Sequence, residues 1–348
     1  MLKKETPSSF VHYDVQRRTK KKVFFKQIES IVNWTKISQE LNKKIKRAHK
    51  DAYGRAAYAP IVLFKMMLLQ TWYSLSDEGV EEMVNDSISA NEFCGLKVED
   101  TVPDHSTLSR FRKELTELKI MDKLLNKINK QLKKHKLILN QGAIVDASIT
   151  ESPYKDKNPT YEIPNDREEK EIEETQDLER IYPNGVDGEG KWLKKGNKCY
   201  FGYKQHVASD RNGMILSIHT VSANEYEGKG LSPLLKKLLS ENMIKELYTD
   251  KGYSSKINRE LLSTMGIKDR IQKKGARNRP LKKMEKKFNN LVGKTRYVIE
   301  RTFGGIKKWF NGGVCRYKGK AKTHTQHIMQ AIAYNLKRSP GLVLKQVK

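Results

Sequence analysis

Three acids in this chain stand out by position. Asp146 lies inside the apolar run GAIVDASI, residues 142–149. An ionised carboxylate there is costly unless a cation or hydrogen bonds compensate it. Asp250 follows the strand-like segment 246–249 and opens the turn Asp250-Lys251-Gly252-Tyr253. Glu300 sits in a long helical pattern, where Arg296, Glu300 and Lys307 fall within about one-ninth of a turn of each other. Taken singly, each acid has an ordinary reading: a hydrogen-bonded structural aspartate, a turn residue, half of a surface ion pair. Taken together, Asp146, Asp250 and Glu300 match the carboxylates of a two-metal phosphoryl-transfer site. Hard oxygen ligands suit Mg2+, with Mn2+ as a substitute. Two such ions stabilise the attacking and leaving oxygens of an in-line displacement, and they keep three neighbouring acids ionised. No nucleotide cofactor is expected. Gly293-Lys294-Thr295 ends like a phosphate-binding loop, but Phe288 stands where its first glycine belongs.

The elements that must position these acids can be read from periodicity. Segments 142–149, 200–208, 214–221, 246–249 and 267–271 read as strands, with a turn at Asp210-Arg211-Asn212-Gly213. Segments 231–239 and 283–310 read as helices. In the last, Ile299, Phe303, Ile306 and Phe310 make an apolar stripe beside Glu300, and Gly304-Gly305 interrupts it. Each glycine costs about 1 kcal/mol relative to alanine, which close approach of another backbone, protein or DNA, would explain. The order strand, strand, strand, helix, strand, helix, strand, helix predicts an α/β mixed sheet.

Upstream the texture is helical. Pro60 suits a helix start, and Ile61 to Trp72 is too short to span a membrane, so it reads as a buried helix. Further helices are expected over 77–84 and 119–138. Pro103-Asp104-His105-Ser106 opens another, in which Ser106, Ser109, Arg110 and Arg112 suit a helix-turn-helix reader of DNA, or an ordinary surface helix. Between the first two strands lies an insertion over about 151–197, with the acidic run 166–179.

The net charge of +27 exceeds what solubility needs and favours a polyanionic partner. Lys20 to Lys22 and Lys43, Lys44, Lys46 and Arg47 make residues 1–57 a basic arm, or equally a solvated surface. A ribosomal or chromosome-coating protein would share the charge but has no use for the acids. The three cysteines form no CxxC pair, and the start lacks the apolar core of a signal peptide. A reducing cytoplasm, beside the nucleoid, is the expected compartment.

These motifs resemble the DDE transposases of bacterial insertion sequences, of the IS-five type within the IS-four/IS-five superfamily. The likeness runs from about Tyr58 to Lys337. Val145-Asp146-Ala147-Ser148, the block Trp192, Lys195 and Tyr200 to His206, Asp250 to Tyr253, and Arg296 to Gly304 are similar to successive family blocks, in order. Arg296, Glu300 and Lys307 fit the superfamily signature, while its leading Tyr is Gly293 here. The resemblance implies an RNase H-like mixed-sheet catalytic core with an insertion after the first strand, preceded by an all-α DNA-binding region. Expected boundaries are an arm at 1–57, a helical domain at 58–138, a catalytic domain at 139–338 and a tail at 339–348. It implies Mg2+-dependent cleavage of double-stranded DNA at the element's ends, then strand transfer to target DNA, within a homodimer on DNA. Arg296, Lys307, Lys204, Ser106, Arg110 and Arg112 are the expected DNA contacts. A silenced DNA-binding descendant and an RNase H-like nuclease are the competing readings.

Overall fold

The computed structural model describes residues 20–45, 57–139, 142–155, 160–162, 179–181, 185–276 and 279–347. The helical half comprises α1 (Lys20–Ile31), α2 (Trp34–Lys44), α3 (Pro60–Tyr73), α4 (Asp77–Asp86), α5 (Ile88–Cys94), α6 (His105–Glu117) and α7 (Met121–Lys134). Helix α3 is apolar on all sides and almost wholly buried, so it is the axis around which the others pack. Its Pro60 occupies the first turn, where the missing N–H costs nothing. Even Lys65 is buried, its ammonium 5.0 Å from the ring centres of both Trp34 and Phe93. Helix α6 starts where Asp104 accepts from the Thr107 N–H at 2.6 Å.

The sheet follows as β1 (Ala143–Glu151), β4 (Lys191–Lys195), β5 (Lys198–Ser209), β6 (Ile215–Ser222), β7 (Glu246–Thr249) and β8 (Lys268–Ile271), with a separate hairpin of β2 (Thr160–Glu162) and β3 (Glu179–Ile181). The order is β4-β5-β1-β7-β8, and β6 also pairs with β5. Strand β5 runs antiparallel to β1, β4 and β6, whereas β7 is parallel to both β1 and β8. The antiparallel pairs β4–β5 and β5–β6 follow short turns, β1 and β5 are separated by the insertion, and the parallel strands need the crossovers through α8 (Leu231–Leu239) and α9 (Lys256–Thr264). This is the RNase H-like mixed sheet expected from the sequence. Two long helices, α10 (Lys283–Phe310) and α11 (Lys320–Val347), complete the chain.

Several expectations need correction. Residues 20–45 of the supposed arm are two helices, because Phe25, Ile28, Ile37 and Leu41 recur at helical spacing beneath the lysines and enter the core. Lys46 and Arg47 lie outside the described residues, as does the acidic run but for Glu179. The supposed tail at 339–348 continues α11 as far as Val347. That helix is central: Ile328, Ile332, Ala333 and Leu336 are fully buried between β6 and the N-terminal helices. Trp72 donates to the Ala333 carbonyl at 2.9 Å. Asn335 accepts from the Ile215 N–H at 2.8 Å and donates to Asn129 Oδ1 at 2.9 Å.

Helices α2 and α7 are joined by a buried carboxylate. Glu40 lies 2.5 Å from Lys123 and 2.8 Å from Lys127, whose hydrogen bonds hold its pKa down to about 2 from 4.5. A depressed carboxylate stabilises the fold above its unfolded pKa and loses that contribution as pH falls through the folded value. Glu40→Gln should therefore flatten the loss of stability between pH 4.5 and about 2 in denaturant titrations, while lowering stability at neutral pH. An unchanged acid limb would refute the assignment.

Candidate active site

Strand register brings the two aspartates together. Val145 of β1 is aligned with Thr249 of the parallel strand β7. The next residues, Asp146 inside β1 and Asp250 just past the end of β7, therefore lie side by side. Asp146 is mostly buried and accepts a 2.6 Å hydrogen bond from Arg296. Burial raises its pKa and outweighs Arg296, which lowers it; the neighbouring Asp250 charge raises it further. Asp250 caps the turn after β7 by accepting from the Gly252 N–H at 2.8 Å.

Helix α10 reaches the same edge. Ile299, Phe303, Ile306 and Phe310 are buried beneath it, as their spacing predicts. Arg296 thereby faces Asp146. Glu300, one turn on, is exposed. It lines a cavity of about 650 Å3 with Ala147, Ser148, Ile149 and Lys307. The structure thus gathers Asp146, Asp250 and Arg296 closely and sets Glu300 and Lys307 on the adjoining wall. Among the described residues, no three Asp, Glu, His or Cys side chains converge tightly enough to hold a metal ion. Asp146 is paired with Arg296 instead. The donor chemistry still fits a hard divalent cation: two neighbouring carboxylates, one mostly buried within β1 and one at the end of β7, with a third on α10.

Sequence reasoning missed Glu227, in the short turn before α8. A Cβ on Gly252 would lie 2.2 Å from Glu227 Oε2 and 3.0 Å from Asp250 Oδ1, so glycine makes room for both acids. Burial, then the charge of Asp250, raises the Glu227 pKa. Nothing in the local pattern Asn224-Glu225-Tyr226-Glu227 marks it; only the fold brings it there. Tyr253, fully buried, pairs its hydroxyl with His206 Nδ1 at 2.6 Å. Burial lowers the His206 pKa to about 3, which keeps it a neutral strand histidine.

The expected DNA contacts divide. Lys307 is exposed. Ser106 and Arg110 line an open cavity of about 800 Å3, and Arg110 donates to the Ser106 hydroxyl at 3.1 Å. Lys204 and Arg112 are corrected. Lys204 is buried and its ammonium donates to the Glu225 carbonyl at 2.7 Å. Arg112 is buried against Asp77 and Gln70, with its guanidinium over Tyr317. Both cations serve the interior, since their strand and helix faces point inward.

The sheet has an RNase H-like mixed order, with Asp146 and Asp250 side by side where β7 ends against β1. Two family patterns cover most of the chain: "Transposase domain" over residues 13–114 and "Transposase DDE domain" over residues 139–336. The second spans more than half of the chain, which belongs to the DDE transposases. The transposase for insertion sequence element IS1106 of Neisseria meningitidis serogroup B is 33% identical over 229 residues, covering 65% of this chain and 75% of that protein. Among solved structures, a piggyBac transposase synaptic complex with hairpin DNA aligns over 96% of this chain and 78% of that one, at 11% identity and a TM-score of 0.41. A Mos1 mariner paired end complex with Mn aligns over 94% and 97%, at 10% identity and a TM-score of 0.21.

Arg296 is the group that holds the Asp146 carboxyl down against burial. Arg296→Gln should push the Asp146 pKa further up, followed through its side-chain carbon resonance in metal-free protein. A fall, or no change, would show that Arg296 does not govern its ionisation.

Proposed function

We propose that this chain is the transposase of an insertion sequence, which binds the element's inverted-repeat ends and catalyses Mg2+-dependent cleavage and strand transfer. The observation that carries this reading is the placement of Asp146, inside β1, beside Asp250 at the end of the parallel strand β7, each one residue past the aligned pair Val145 and Thr249, inside the family-matched segment that also holds Glu300 on α10. Asp146, Asp250 and Glu300 would hold the divalent ions, with Glu300 turning in from the cavity wall. When bound, those ions stabilise the attacking and leaving oxygens of the displacement. Arg296 would release Asp146 and take a phosphate oxygen; its Nε is buried with no acceptor among the described residues. Lys307, exposed on the same helix face, would hold a second phosphate. Water would cleave a phosphodiester at the element's end, and the freed 3′-hydroxyl would attack target DNA, one phosphodiester replacing another without ATP.

Ser106 and Arg110 on α6 would contribute to duplex binding from the helical half. Joining two ends calls for a homodimer on DNA. No helix of the described residues is long and apolar enough to cross a membrane, and the bacterial nucleoid is the proposed place of work.

Asp250→Ala should abolish Mg2+-dependent cleavage of terminal-repeat DNA in a gel assay and leave DNA affinity within a few fold of the parent. Surviving cleavage would refute the site. Affinity for that DNA should also fall steeply between about 50 and 200 mM salt, through release of counterions from the neutralised phosphates. A flat response would argue against the basic surface as the phosphate-binding element.

A further inference from the structure

Helix α10 carries a second outward stripe, one residue over from Arg296, Glu300 and Lys307. Tyr297, Arg301, Gly304 and Lys308 fall within about one-sixth of a turn of each other. Arg301, Gly304 and Lys308 are exposed, and so is Tyr297, at 63%. The two glycines at the middle of this helix have different explanations. A Cβ on Gly305 would lie 2.8 Å from Tyr334 of α11, so packing requires that glycine. A Cβ on Gly304 would meet no other described atom within 4 Å. Alanine there would fit and would favour the helix, so the protein's own packing does not account for Gly304.

The surroundings of Gly304 say what passes over it. It lies in a cavity of about 710 Å3 with Tyr297, Arg301, Lys308 and Trp309. Trp309 is 37% exposed, stacks on Tyr334 with ring centres 5.8 Å apart, and has the Lys337 ammonium 5.1 Å from its ring centre. Two exposed cations flank the bare backbone, and an aromatic ring stands on either side along the helix. A continuous duplex keeps its bases stacked inside and offers this surface only phosphates. Exposed aromatic faces gain from bases that are free to stack, and adjacent cations hold the strand that carries them. Glu300 and Gly304 line both this cavity and the one bearing Ala147, Ser148 and Lys307, so the two adjoin at Glu300, and Ala147 is next along β1 from Asp146.

We propose that the notch at Gly304 seats an unpaired stretch of the DNA strand adjoining the scissile phosphate. The strand crosses α10 at Gly304, with phosphates on Arg301 and Lys308 and a base stacked on Tyr297. This assignment rests on the transposase reading for its location beside the cleavage site.

The test uses the full chain in chelator, so that no cleavage intervenes, and fluorescence anisotropy with two probes: a blunt DNA duplex, and the same duplex extended by a short single-stranded overhang. The parent should prefer the overhang probe. Tyr297→Ala should lose about tenfold on that probe and little on the blunt duplex, whereas Tyr297→Phe, which keeps the ring, should retain the preference. Gly304→Ala should weaken the preference while leaving the melting temperature unchanged or higher, which separates the loss from misfolding. Equal affinity of the parent for both probes, equal losses on both by Tyr297→Ala, or a preference untouched by Gly304→Ala would overturn the proposal. Binding in chelator does not depend on which acids cut DNA, so a wrong catalytic assignment would show in the cleavage assay and not here.

Discussion

A carboxylate set inside an apolar strand must be answered by a positive charge, and the pairing of Asp146 with Arg296 meets that requirement. The pair also fixes the relation of α10 to the sheet. The buried stripe from Ile299 to Phe310 sets how deep the helix sits, and the ion pair ties its Arg296 turn to the middle of β1. The register of β1 with β7 then leaves Asp250 beside Asp146. Under the proposed function, a divalent ion at Asp146 would take over the neutralising role that Arg296 has in this structure, with the guanidinium close by.

The basic excess divides along similar lines. Lys65, Arg112 and Lys204 are spent inside the protein, on aromatic rings, a carboxylate and a backbone carbonyl. Lys123 and Lys127 neutralise Glu40. Arg301, Lys307 and Lys308, by contrast, stand exposed on α10. A positive charge in the sequence thus has two fates, and the face of its element decides which.

That division also marks how far the sequence could be read. Asp146 was visible because a charge in a Val/Ile run demands compensation, and the bounds of α10 were visible because a period of 3.6 persists from its start to Phe310. The five main strands were legible from β-branched runs between turn residues. Strand β4 was not, since Lys191–Lys195 is mostly exposed and lacks alternation. The same holds for α1 and α2, whose lysines masked a buried face. Helix α11 was not read from the sequence at all, and Pro340, which usually interrupts a helix, lies inside it. Lys204, Arg112 and Glu227 depend on tertiary neighbours far along the chain, which no local pattern encodes.

The junction at Asn335 has a consequence for how such enzymes diversify. Asn129 from α7, Ile215 from β6 and Asn335 from α11 share one buried hydrogen-bonded knot, with the Trp72–Ala333 contact beside it. The helical half is therefore closed by the last helix of the chain, and cutting the gene between α7 and β1 would part a tryptophan and an asparagine from their buried acceptors. New specificity on this scaffold is physically easier to reach by changing surface side chains than by shuffling whole modules.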